Sequence, residues 1–264
     1  IDTWAATASG GFLLSENGLY TTEGWEVFLE ALSPHGILTM TRWYVSSSPA
    51  ETQRLVSLAA EALERVGIES PADHVILVAQ EEPDVELAAD GIVGRATILV
   101  SKSPFSAAEL RQLDQALAAN GSLKLAAPES TEDPVIARLL DHASRDQAVA
   151  QSRFDISPPS DARPYFFLQL RPSDVFTSGS QEFDAVTEIT LNGVRVLLVL
   201  AAIAAVFAAL VLLLATLTLP SLDASSGSSH TYRVMSLYLF GIGMGYILIQ
   251  LVLHQRLILI LGHP

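Results

Sequence analysis

Groups able to do chemistry are sparse in this sequence. It contains no cysteine, which removes disulfides, thiolate zinc sites and cysteine nucleophiles together. Its histidines, His35, His74, His142, His230, His254 and His263, are scattered, with no HExxH and no paired ligand spacing, so no metal site is expected. Asp2 has the best claim to a site role, because "ID" reads as the end of a strand and α/β sheets place ligands beyond the carboxyl ends of their strands. An Asp at such a point can equally cap a helix or order a loop, and both roles stay open. "DARPYFF", Asp161 to Phe167, reads as a turn in which Arg163 pairs with a carboxylate and Tyr165 to Phe167 anchor the segment to a sheet.

A second set of polar groups lies in unusual surroundings. Gln250, His254, Gln255 and Arg256 sit within or beside an apolar run from Val234 to Leu253 that continues as "LILILGHP". Polar groups in lipid need partners, so they either face other spans of a larger bundle or, for Arg256, reach the interface along an apolar stem. "GIGMG", Gly241 to Gly245, lacks the preceding strand and the following acidic residue of a dinucleotide loop; its glycines fit close helix packing instead. Upstream, Val196 to Leu219 carries no charge and is long enough to cross a hydrocarbon core of about 30 Å as a helix. The two runs, joined by the Ser-rich "PSLDASSGSSHTYR", predict a helical hairpin with spans at about 194–219 and 234–261. Arg171 and Arg195 precede the first span, Arg233 lies in the loop and Arg256 near the far end, a balance that puts the soluble part and Arg256 on the cytoplasmic side.

Charge divides the chain the same way. The first 190 residues hold 28 acidic and 12 basic groups, a balance of −16, and the remainder is nearly uncharged. So acidic a surface repels phosphates and anionic headgroups, which argues against nucleic acid as a partner and favours cationic ligands.

The elements that must position any site alternate in type. "TTEGWEVFLEAL" has helical spacing with Thr21 or Thr22 as N-cap, and "SPHG" turns it into the strand "ILTMTRW". "SPAETQRLVSLAAEALERVG" repeats the plan, with Pro49 near the first turn and Gly67 as a stop, and leads to "HVILVAQ". Then follow the strand "ATILVSK", a helix from about Ser106 to Asn120 stopped by Gly121, and the short strand "LKLAA". This alternation predicts an α/β layered sheet. No helix separates "HVILVAQ" from "ATILVSK", so an antiparallel hairpin is expected at the edge of an otherwise parallel sheet.

Such a sheet is similar to the end of a class I methyltransferase-like (Rossmann-like) fold. "IDTW" followed by "SENGLYTTEGWEVFLEALSPHGIL" resembles the part of spermidine synthases where a strand ends in Asp and a gate loop leads to the next helix. "KSPFSAAELRQL", "ISPPSDARPYFF" and "QRLILILGHP" resemble bacterial membrane proteins in which a spermidine synthase-like domain is fused to transmembrane helices. The resemblance implies a spermidine synthase-like α/β domain over 1–172 that lacks its N-terminal half, a linker over 173–192, and transmembrane helices within 193–264. It also implies a multi-pass protein of the bacterial inner membrane, with lipid and further transmembrane helices of a longer parent as partners.

The chemistry it implies is aminopropyl or methyl transfer from a sulfonium nucleoside to a polyamine or small amine. The cofactor would be decarboxylated S-adenosylmethionine or S-adenosylmethionine, held in a complete protein by a glycine loop that this chain does not contain. Asp2 falls on the first acid of the family's Asp-Ser-x-Asp pattern with Thr3 beside it, and Glu16, Asn17 and Tyr20 fall where the family closes its gate over the amine. Tyr20 could equally be a core residue. The family's second acid, the usual proton acceptor, falls on Ala5, an acid before Arg163 is replaced by Ala162, and Gln250 stands where an acid is expected. These losses leave an alternative: a polyamine or nucleoside transporter or sensor with a non-catalytic soluble domain. An acidic α/β domain that only binds other proteins is the third possibility.

Overall fold

The computed structural model describes residues 16–46, 48–81, 93–128, 130–171, 185–218 and 229–261. They divide into two compact units, residues 1–201 and 202–264.

A single 3-10 turn, Gly18–Tyr20, enters helix α1, Thr22–Ala31. The Thr21 side chain accepts the Gly24 amide at 3.1 Å, the N-cap its sequence position suggests. Strand β1, Ile37–Val45, follows, then helix α2, Ala50–Arg65. Twelve α2 residues are buried, which makes it the central helix of the core. Gly67 stops it at φ 88°, in the left-handed region that favours glycine. Strands β2, Val75–Glu81, and β3, Val93–Ser101, lead to helix α3, Ala107–Asn120, and strand β4, Leu123–Ala127. Helix α3 opens on a capping box between Ser106 and Glu109 and closes on Gly121 at φ 65°.

With a short strand β5, Ser130–Thr131, the strands form one sheet in the order β1-β3-β2-β4-β5, with every neighbouring pair antiparallel. This corrects the expected parallel sheet, and it moves the β2–β3 hairpin from the edge to the middle. Strand β3 pairs with β1 over all nine residues, Ile37 opposite Ser101 through Val45 opposite Val93, and with β2 on its other side. The physical reason lies in β2: Val75, Ile76, Leu77 and Ala79 are all buried, and a strand apolar on both faces belongs inside a sheet. Strands β1 and β2 run in the same direction, are connected through α2, and are separated by the reversed β3.

The sequence patterning left 130–151 unassigned. It forms the two-residue strand β5, Ser130–Thr131, and helices α4, Pro134–Leu140, and α5, His142–Gln151. Each helix starts on an Asp: Asp133 accepts the Val135 amide at 2.7 Å and Asp141 accepts the Ala143 amide at 3.4 Å. The core joins Trp25 and Leu29 of α1, the apolar face of α2, alternate residues of the sheet, Ile136 and Leu139 of α4, and Ile156, Phe166 and Phe167.

Two long helices complete the described chain. Helix α6 spans Ala185–Thr218, 34 residues, and so begins within the segment expected to be linker. Helix α7 spans Ser229–Leu261, 33 residues. Residues 196–210 are all exposed, and of residues 238–253 only Gly245 is not fully so. Among the described residues no helix is long and apolar enough to cross a membrane. The spans expected at about 194–219 and 234–261 fall on these two helices, which end at Thr218 and Leu261.

Candidate functional site

Helix α2 follows directly after the carboxyl end of β1, and the turn leading into α1 lies nearby, with the Tyr20 ring 5.6 Å from the Arg42 guanidinium. Asn17 caps the 3-10 turn by accepting the Leu19 amide at 3.1 Å, and its own amide donates to the Pro164 carbonyl at 2.8 Å. The Thr22 amide donates to the Pro159 carbonyl at 2.9 Å. These ties hold residues 16–22 against the "SPPSDARPYFF" segment. Glu16, exposed, accepts the Tyr165 hydroxyl at 3.2 Å. Partial burial, with the Glu16 carboxylate beside it, raises the Tyr165 hydroxyl above its ordinary pKa.

Tyr20 is a core residue: it is buried and stacks on Phe166 at 4.5 Å between centroids, with Phe167 edge-on at 5.7 Å. Phe166 and Phe167 do anchor their segment, whereas Tyr165 turns outward to Glu16. Beside the aromatic cluster lies the Arg42 guanidinium, 4.7 Å from the Phe167 centroid and 5.6 Å from that of Tyr20. Arg42 donates from Nε to Glu51, in the first turn of α2, at 2.5 Å. Loss of water pushes the Glu51 carboxyl above the usual carboxylate range, with Arg42 pulling against that shift. A carboxylate, an aromatic wall and a fixed cation thus surround the carboxyl end of β1. Sequence spacing missed Arg42 and Glu51, although their offset of nine residues across a strand-to-helix turn returns the chain to the same end of the sheet.

Arg54, on α2, fastens this segment. Its side chain is almost wholly buried and donates to the carbonyls of Ser157 at 3.0 Å, Phe166 at 3.0 Å and Leu168 at 2.6 Å. Asp155 lies 3.9 Å away and also receives Arg163 at 2.8 Å, the carboxylate partner expected for that arginine. Burial pushes the Arg54 guanidinium down to about 10, which leaves it protonated at neutral pH. Burial alone would raise Asp155, but the Ser157 hydroxyl and amide, Arg54 and Arg163 outweigh it and hold the carboxyl below its ordinary value.

The remaining sequence candidates are not among these residues. Asp2 and Thr3 lie outside the described residues. Gln250 is on α7 and exposed; His254, Gln255 and Arg256 are further along the same helix, with side chains outside the description. Among the described residues no group of three or more His, Asp or Glu could hold a metal ion. Comparison with protein-family models, with curated proteins and with solved structures finds no match for the chain.

Proposed function

We propose that this chain belongs to a membrane-anchored, spermidine synthase-like protein whose α/β unit takes a small cationic amine at the carboxyl end of β1. The transfer assigned to it moves an aminopropyl or methyl group from a sulfonium nucleoside to that amine. The observation that carries this proposal is the arrangement of β1 and β2, parallel, joined through a helix and split by a reversed strand. Two strands of one direction joined through a helix are what the resembled sheet would supply, although all hydrogen-bonded neighbours here are antiparallel. At the carboxyl end Glu16 offers a carboxylate to a cation beside the Tyr165 ring, and the −16 balance of the first 190 residues favours the approach of amines. The sulfonium nucleoside, when bound, supplies the activated carbon; this chain's own residues bind and orient the amine.

Anchoring rests on the solvent. A helix apolar on every side and exposed on every side, as residues 196–210 are, is stable only under an apolar cover, and lipid provides one. Titration calorimetry of the full-length protein with decarboxylated S-adenosylmethionine, S-adenosylmethionine and methylthioadenosine tests the transferase proposal. Saturable heat with one of them supports it, and none with any rejects it.

A second proposal, a polyamine transporter or sensor, draws on Gln250, an exposed polar side chain within the largely apolar run Val234 to Leu253 of α7. Polyamine uptake into vesicles holding the protein, against empty vesicles, separates the two; equal uptake rejects transport.

A further inference from the structure

The sequence holds three asparagines, Asn17, Asn120 and Asn192, and each is followed by a glycine. An Asn-Gly pair can modify itself, because glycine has no Cβ to shield its amide nitrogen from the neighbouring side-chain carbonyl carbon. The fold places the pairs in unlike surroundings. Asn17 is half-buried and held by three hydrogen bonds: its side chain accepts the Leu19 amide at 3.1 Å, its own amide donates to the Pro164 carbonyl at 2.8 Å, and its carbonyl accepts the Tyr20 amide at 3.1 Å. Asn192 lies inside helix α6. Asn120 is the last residue of α3 and is exposed, as is Gly121, and its side chain makes no hydrogen bond among the described residues. The Gly121 amide donates to the Leu117 carbonyl, on the final turn of a helix none of whose residues is buried. Such a helix end opens at little cost in free energy.

We propose that Asn120–Gly121 is a self-modification site, which deamidates in the folded protein while the fold protects Asn17. The Gly121 amide nitrogen gives its proton to solvent base and attacks Cγ of Asn120. The Cγ–Nδ2 bond breaks, ammonia leaves with a proton from solvent, and a cyclic imide closes between the two residues. Water then opens the imide at one of its two carbonyls, leaving either an aspartate on the original main chain or an isoaspartate whose main chain runs through Cβ and Cγ. The new carboxylate stands at the negative end of the α3 dipole, where it is unfavourable. The isoaspartyl form also lengthens the main chain and draws Gly121 and Ser122 away from the Leu117 carbonyl that both amides share. At Asn17 the same attack requires the side chain to leave the Leu19 amide and the turn to leave Pro164. Neither the membrane placement nor the amine site enters into this chemistry.

The full-length protein, kept at mildly alkaline pH in heavy-oxygen water and then cut with trypsin, supplies the test. Mass spectrometry reads Asn120 in the fragment Gln112–Lys124 and Asn17 in the fragment that ends at Arg42, and the heavy oxygen marks every carboxylate formed during the incubation. The expected result is conversion of Asn120, into both aspartyl and isoaspartyl fragments, at least roughly tenfold faster than Asn17, the factor that one net hydrogen bond of extra opening cost gives. In concentrated urea the two rates should converge, since an unfolded α/β unit protects neither. Conversion of Asn17 as fast as Asn120 in the folded protein, no conversion of Asn120 there, or a ratio in urea equal to that in buffer overturns the proposal.

Discussion

Replacement of Arg54 by alanine is the sharpest test of how the candidate site is held together. The side chain is almost fully buried, donates to three carbonyls at 2.6 to 3.0 Å and faces Asp155 at 3.9 Å. An orphaned buried hydrogen-bonding group costs about 1–3 kcal/mol, but these costs do not add here. Ser157 and Leu168 are only half-buried, so water can reach their carbonyls, whereas Phe166 is fully buried. Asp155 keeps Arg163 and the Ser157 hydroxyl, which softens its loss. The total expected is therefore about 3–5 kcal/mol, the cost of breaking a buried charged contact from one side. That is a large part of a stability of about 5–15 kcal/mol. Urea unfolding of the detergent-solubilised full chain, followed by tryptophan fluorescence, measures it through the midpoint. Arg54→Lys keeps the charge but not the planar fork and should lose roughly 1–3 kcal/mol. A loss below about 1 kcal/mol for Arg54→Ala at unchanged m-value would show that the segment 155–168 is held by its apolar contacts alone, and the assignment of Arg54 as its fastening would be wrong.

Other outcomes follow from the same geometry. Asp155 has a depressed folded-state pKa, so its stabilisation is complete above the unfolded value of about 3.9 and is lost as pH falls below it; acid unfolding curves should be flatter for Asp155→Asn, and an unchanged slope below pH 4 would count against the network. Gly24→Ala should fail sterically, because its Cβ would stand 2.4 Å from the Gly18 carbonyl oxygen; a melting temperature equal to the parent's would mean the 3-10 turn gives way freely. Phe166→Ala should cost about 3–5 kcal/mol, since the ring is fully buried against Tyr20 and Phe167, and should raise hydrogen exchange at the Asn17 amide. If the amine proposal holds, Glu16→Gln should weaken binding of a diamine probe in calorimetry by a factor of roughly ten, the scale of one lost charge-assisted hydrogen bond, with unfolding unchanged because Glu16 is exposed.

Local chemistry in the sequence was enough to place α1, β1, α2, β2, β3, α3 and β4, because each carries its own start and stop signals. Thr21 and Ser106 cap, Gly67 and Gly121 terminate at positive φ, and the apolar spacing in between has the right period. The same local chemistry made Phe166 and Phe167 anchors and gave Arg163 a carboxylate, although it could not say which one. The pairing of strands was another matter. Whether the hairpin sat at the edge or the centre depended on β1 meeting β3 rather than β2, a choice between partners more than thirty residues apart in the chain. The short helices α4 and α5 also escaped detection, since their stability comes from Asp caps and from packing on α2 rather than from a long periodic run. Arg42 with Glu51, and Arg54 with three distant carbonyls, are contacts that exist only once β1, α2 and residues 155–168 converge. Sequence by itself determined most elements and the contrast between an acidic part and a nearly uncharged apolar one, because propensity, capping and hydropathy act over a few residues. Tertiary structure alone decided strand order and the make-up of the site, because charges and carbonyls distant along the chain acquire partners only when the core that buries them has closed.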